Sequence, residues 1–204
     1  MEKLPPGTGT PTGRRERKKA ATRAAIAAAA LHLFLERGFD AVSIRDIAER
    51  ADVAVATVFA HFPGKEALVF DEDETIANSL VDAVESRPPG TDALTALQEW
   101  FTLNESSRNS RQQDPRFTEF WRLVEGTPAL HAYWKQMWRL YIPLITQAIE
   151  RTTDVGPRSA RLTAALVVEG HLLASADDDP GHMLELLFTT LRSGLPSSGT
   201  ARAG

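Results

Sequence analysis

The stretch at residues 43–65, SIRDIAERADVAVATVFAHFPGK, constrains this chain more than any other part of it. It reads as two short helices joined by a tight turn. Ser43 suits an N-cap, and Asp46 three residues later completes a capping box, with Asp in place of the usual Glu. Ile44, Ile47 and Ala48 recur at helical spacing, so one face of the first helix turns inward, and small Ala48 lets a second helix approach closely. The turn falls at Ala51-Asp52-Val53, with Val53 as an apolar plug. A second helix is expected from about Ala54 to Phe62, burying Val58, Phe59 and Phe62. Pro63-Gly64 stops it, because Pro lacks an amide donor and disfavours a helical residue before it. The other residues of that helix face outward, as in a rod that enters the major groove of DNA.

A net charge of −4 over 204 residues argues against a nucleic-acid binder, but the way the charge is distributed argues for one. Residues 1–66 carry 11 Lys/Arg against 8 Asp/Glu, a net of +3, and the remainder carries −7. Arg14, Arg15, Arg17, Lys18, Lys19 and Arg23 cluster against the lone Glu16. A basic arm ahead of a helix-turn-helix can displace counterions from a phosphate backbone and steer encounter. In isolation such a run is more often a solvated tail; its position beside the two-helix motif changes the balance.

These residues resemble the TetR family of bacterial transcriptional regulators. The similarity runs through Thr22-Arg23, Ala29-Ala30, Leu33-Phe34, Arg37-Gly38-Phe39 and Ser43-Ile44-Arg45-Asp46-Ile47-Ala48. It continues through Thr57-Val58-Phe59-Ala60-His61-Phe62 to Lys65-Glu66-Ala67-Leu68, so that it covers residues 22–68, about a quarter of the chain. The resemblance implies a dimer, mostly repressive, that leaves DNA when a small molecule occupies a C-terminal domain. Ala54, Phe59 and Val42 stand where the family often has Ser, Tyr and Thr. Three polar anchors are therefore missing, and phosphate contacts are expected from Thr22, Arg23, Ser43, Lys65 and the basic arm. Lys65 is expected at the start of the next helix.

The outward face of the second helix holds Val55, Ala56, Thr57, Ala60 and His61, with Phe59 also assigned to the DNA site. None of these is the Arg, Asn or Gln that usually reads guanine or adenine. Arg45 is therefore expected to donate to guanine, and Val55 and Ala56 to meet thymine methyl groups. His61 is either a polar contact or a helix-ending surface residue.

The chain has no cysteine, which excludes disulfides, thiol catalysis and Cys-based metal sites. A hydrophobic content of 43% suffices for a core. No membrane span or signal peptide is evident, so a cytoplasmic protein is expected. Residues 1–13 and 196–204 have the small polar composition of disordered tails. Between them, residues 14–66 form the expected DNA-binding domain and 67–195 an effector-binding and dimerisation domain. The expected architecture is all-α, with about nine helices.

Expected C-terminal helices run from Glu66 to about Glu85, from Thr91 or Asp92 up to a polar loop at residues 106–113, and from Pro115 to near Gly126. A long helix over 129–152, disturbed by Pro143, and helices over 157–176 and 181–194 complete the set. The acidic run Asp71-Glu72-Asp73-Glu74 reads as a solvated face rather than a metal site. Leu162, Leu166 and Leu173 mark one stripe, and Met183, Leu184, Leu187 and Leu191 another. In the resembled family such a terminal pair forms a four-helix dimer interface, and small Ala165 and Gly170 are compatible with it. Closing the monomer core is the alternative.

Trp100, Trp121, Trp134 and Trp138 lie close together in sequence. Core packing explains most such residues. With Phe120 and Glu169 they are nevertheless the candidate lining of an effector pocket. Glu169 shares a stripe with leucines, where a carboxylate needs a partner. Arg122, Arg139 and His171 are the candidates, inside a pocket or at an interface rim. His171 itself reads as a structural histidine.

No Gly-rich phosphate loop, nucleophile elbow or metal-spaced His pair supports an enzyme, and no cofactor or metal is expected. The favoured reading is a ligand-responsive regulator that binds a palindromic operator as a homodimer. The alternative is a helix-turn-helix protein without a small-molecule effector, architectural or division-related.

Overall fold

The computed structural model describes residues 11–71, 73–111 and 113–193. All regular elements among them are helical: ten α-helices and one 3-10 turn. The expected tails at 1–10 and 196–204 lie outside the described residues. Helix α1 (Pro11–Arg37) is rich in Ala and Arg, both strong helix formers. It starts at Pro11, so residues 11–13, expected in the tail, are helical. It ends at Gly38, whose φ of +82° suits a residue without Cβ and whose N–H donates to the Phe34 carbonyl at 2.9 Å.

Helices α2 (Ile44–Arg50) and α3 (Val55–His61) form the expected pair. Between them Asp52 takes a positive φ of 52°, and the Val53 N–H donates to the Ala48 carbonyl at 2.9 Å. Asp tolerates this left-handed conformation better than most side chains.

The helix expected over 66–85 is interrupted. A 3-10 turn (Glu66–Leu68) is followed, after a break, by α4 (Asp73–Glu85). Ala67, Leu68, Val69 and Phe70 are all buried. Four consecutive residues cannot share one side of an α-helix, and the path that leaves the helix after Leu68 turns all four inward.

Helix α5 (Ala93–Arg111) is capped by Asp92, which accepts from the Thr95 N–H and hydroxyl, both at 2.8 Å. It runs through most of the expected loop at 106–113. The hydroxyls of Ser106, Ser107 and Ser110 donate to carbonyls four residues earlier, which satisfies them inside a helix. After α6 (Pro115–Gly126), the long helix expected over 129–152 is two helices, α7 (Pro128–Leu140) and α8 (Ile142–Thr152). Pro143 has no N–H to donate, and it occupies the first turn of α8, where that lack costs least. This split turns the expected nine helices into ten. Helices α9 (Pro157–Ala174) and α10 (Pro180–Ser193) follow, each starting at a Pro.

The chain divides into two compact units, residues 1–71 with 119–130 and residues 72–118 with 131–204. The first crossing, at 71/72, lies a few residues beyond the boundary expected at 66/67, and 119–130 join the first unit. In the first unit Ile26, Leu33, Phe34, Phe39, Ile47, Val58 and Phe62 are sealed from solvent, which fixes α2 and α3 on α1.

In the second unit α4 packs on α5 and α8, α9 on α8, and α10 on α5 and α9. Arg87 ties the C-terminal end of α4 to that of α8, donating to the Thr91 carbonyl at 2.8 Å and to the Thr152 hydroxyl and carbonyl at 2.7 and 2.8 Å. The Tyr141 hydroxyl donates to the Asp73 backbone carbonyl at 3.2 Å and to its carboxylate. The acidic run is thus not uniformly solvated. The α9–α10 contact is close enough that a Cβ on Gly170 would collide with Leu187. Among the described residues no helix is long and apolar enough to cross a membrane.

Candidate nucleic-acid interface and effector region

The start of α2 carries a complete capping box. The Asp46 N–H donates to Ser43 Oγ at 3.2 Å, while the Ser43 N–H and hydroxyl both donate to the Asp46 carboxylate, at 2.7 and 2.5 Å. The Ser43 hydroxyl, followed by its amide, holds the Asp46 carboxyl below its ordinary range. Ser43, expected at a phosphate, therefore already spends its donors on α2. Arg45, next to this cap, is exposed and has no hydrogen-bond or ion-pair partner among the described residues.

Helix α3 buries Val58 and Phe62 as expected, but Phe59 is 57% exposed. Residues 58 and 62 are four apart and share one face; residue 59 is rotated about 100° from 58, at the edge of that face, and falls outside the part that is covered. Phe59 joins Val55, Ala56 and Ala60 on the solvent side, while Thr57 is half-buried. The Ala54 cap contributes no side-chain hydrogen bond. His61 is also half-buried, with Nδ1 sealed and unpartnered. It is not a free surface side chain.

Two expected phosphate contacts have other partners. Arg23 donates to the His61 carbonyl at 2.6 Å, forms an ion pair with Asp71 at 2.7 Å, and lies 4.2 Å over the Phe62 ring. It fastens the C-terminal end of α3 to α1 and to the segment leaving the first unit. Lys65 precedes the 3-10 turn rather than an α-helix. Its ammonium donates to the Phe39 carbonyl and lies 4.2 Å over the Phe39 ring. Thr22 is half-buried, and of the basic arm Arg14, Arg15, Arg17, Lys18 and Lys19 are exposed along α1. The holding role of Arg23 has no local signature, because its partners are remote in sequence.

The residues of the expected effector lining are divided between the two units. Phe120 and Trp121 belong to the first unit, and Trp100, Trp134, Trp138 and Glu169 to the second. Phe120 and Trp121 make an edge contact at 5.4 Å between ring centroids, and Phe120 meets Phe70 at 6.3 Å. In the second unit Trp138 is the hub of an aromatic cluster, with Trp100 at 6.4 Å, Phe101 at 5.9 Å, Trp134 at 6.5 Å, Tyr141 at 5.3 Å and His171 at 4.1 Å. The Nε1 of Trp138 and the Nδ1 of His171 are buried there without hydrogen bonds. Desolvation, followed by the positive charge of Arg108, lowers His171 to a pKa of about 3, so the ring is neutral at pH 7.

Glu169 does not enter this cluster. It is half exposed and accepts two hydrogen bonds from Arg139, at 2.6 and 3.1 Å, which hold its carboxyl below the usual range. Of its three candidate partners Arg139 is the one it meets, on the surface rather than in a pocket. Leu162, Leu166 and Leu173 on the same stripe are exposed as well; α9 instead buries Ala160, Ala164, Val167, Val168 and Leu172.

Residues 26–71 match the family of bacterial regulatory proteins described as the tetR family. The chain is 29% identical over 157 residues to the HTH-type transcriptional regulator TcmR of Streptomyces glaucescens, a match covering 75% of this chain and 63% of that protein. It is 31% identical over 152 residues to the HTH-type transcriptional repressor KstR of Rhodococcus jostii, covering 72% and 66%. Less than two thirds of either relative's length is therefore matched. Among solved structures, Thermus thermophilus FadR, a TetR family transcriptional repressor in complex with lauroyl-CoA, aligns with a TM-score of 0.53 at 19% identity, covering 89% of this chain and 99% of that one. A capped two-helix reader on a long first helix, the family match across it and an all-helical remainder agree: the chain belongs to the TetR family of transcriptional regulators.

Proposed function

We propose that this protein is a cytoplasmic repressor that binds a palindromic operator as a homodimer and is released by a small apolar or amphipathic effector. The observation that carries the DNA-binding part is the outward face of α3. Val55, Ala56, Phe59 and Ala60 stand in solvent on a rod held by Val58, Phe62 and Arg23. An apolar face of this size suits thymine methyl groups, and the unpaired Arg45 guanidinium beside it suits guanine O6 and N7.

The exposed leucines of α9 support pairing with a second copy, whose two-fold symmetry would match an operator with half-sites one helical turn apart. The aromatic cluster of the second unit supports an apolar or amphipathic effector. Release follows if the effector binds one dimer geometry better than the other. Helix α4 would be the lever, because the chain enters the second unit at its start.

Selection of bound duplexes from a random pool tests this reading. A two-fold symmetric consensus is expected; no enrichment over an unselected pool sinks it. Arg45→Ala should cost about 1–3 kcal/mol at one base position and relax preference there. A uniform loss across all sequences would make Arg45 a phosphate contact.

A further inference from the structure

The second unit holds a cleft of about 350 Å³ between α5 and α10, within the range of small-molecule sites. Leu184 and Phe188 form its floor, both buried, and Phe188 rests on Phe101 at 6.2 Å between ring centroids. Glu105 from α5 and Glu185 from α10 face it together with Gln98 and Thr102. Arg192 ties α10 to α5 beside it, donating to Gln98 Oε1 and to the Thr95 hydroxyl. The Thr102 hydroxyl donates to the Gln98 carbonyl at 2.9 Å. Among the described residues neither Glu105 nor Glu185 has an ion-pair or hydrogen-bond partner. No Lys, Arg or His is among the described residues that line the cleft.

We propose that this cleft binds an organic cation, its apolar body on Leu184 and Phe188 and its positive centre between Glu105 and Glu185. The proposal rests on the effector-responsive reading and narrows the effector to a cationic amphiphile. Two carboxylates without ion-pair partners at one opening, against the single Arg192 guanidinium beside it, leave a net negative potential that a low-dielectric floor focuses. An anion is repelled, and a neutral molecule gains only apolar burial. An ammonium or other weakly hydrated cation gains both terms.

The test compares benzyltrimethylammonium with neopentylbenzene, its uncharged carbon isostere, by calorimetric titration of the full chain. Saturable binding of one cation per chain is expected. Binding should be at least tenfold tighter than for the isostere, weaken with added salt, and drop at least tenfold in the double variant Glu105→Gln/Glu185→Gln. Equal binding of cation and isostere, undiminished binding by a double variant with an unchanged melting temperature, or no saturable cation binding overturns the proposal. If the double variant misfolds, the isostere comparison and the salt dependence of the parent chain decide. Operator binding by the same preparation separates the two readings: retained with no cation binding, it defeats the cation site and leaves the regulator reading intact.

Discussion

Helices α3 and α9 both show apolar side chains to solvent, and the contrast between them indicates what each surface meets. On α3 the exposed residues are Val55, Ala56, Phe59 and Ala60, on a rod of two turns, with the unpaired Arg45 on the neighbouring helix. On α9 they are Leu162, Leu166 and Leu173, along three turns, with Glu169 among them paired to Arg139 and the exposed Arg158 at the N-terminal end of the stripe. A narrow apolar strip beside the unpaired Arg45 fits a polyanion with methyl groups in its groove. A longer aliphatic stripe whose central carboxylate is already paired fits another apolar surface, because an unpaired carboxylate in its middle would resist desolvation, whereas a charge at its end can stay in solvent. Exposure alone does not distinguish these surfaces. The length of the stripe and the place of the charges along it do.

The largest effect should come from the α9 side. The double variant Leu162→Glu/Leu166→Glu should convert a dimer to monomers, raising the dimer dissociation constant at least ~100-fold, as expected when central apolar anchors are lost. Sedimentation velocity over a concentration series reads this, and an unchanged association state would transfer those leucines to some other role. On the reader side, Arg23→Ala should destabilise the chain by about 1.5–3 kcal/mol, because a charge-assisted hydrogen bond and an ion pair to half-buried partners are lost together. Thermal melting measures it. If Arg23 served only as a phosphate contact, melting would be unchanged and only the salt slope of DNA binding would fall.

Acid should separate the two regions further. Burial keeps His171 neutral when folded, with a pKa of about 3 against an ordinary 6.5. The unfolded chain then binds the extra proton, so this group's stabilising contribution is intact above pH 6.5 and is lost as pH falls through that value toward 3. The slope is ~1.4 kcal/mol per pH unit within the window. His171→Phe should flatten that part of the pH–stability curve; an unchanged slope would place the acid sensitivity elsewhere. The smallest effect belongs to the turn before α3. Asp52→Gly should raise stability by roughly 0.5 kcal/mol by relieving a left-handed conformation at a residue with a Cβ. A lower melting temperature would mean that the Asp side chain supports the turn.

The capping box at Ser43 and Asp46, the burial of Val58 and Phe62, and the all-helical architecture are legible in the sequence because each follows from spacings within one or two turns. Phe59 is not, since how wide a face of a short helix is covered depends on the neighbours it meets rather than on its own spacing. The break after Leu68 and the division at Pro143 depend on how much burial the surroundings demand. The candidate lining of Trp100, Phe120, Trp121, Trp134, Trp138 and Glu169 rests on proximity along the chain, which does not decide which compact unit a side chain joins.

By itself, the sequence determined where the reader helices begin and turn, which of their faces is inward, and that positive charge gathers around them. Local hydrogen bonding, side-chain periodicity and formal charge are properties of short segments. Tertiary structure decided that Arg23 and Lys65 hold the reader together internally, that Glu169 answers Arg139 on the surface, and that Glu105 and Glu185 share a cleft. Those outcomes depend on which remote groups share space, and so on the packing of whole helices rather than on any one helix.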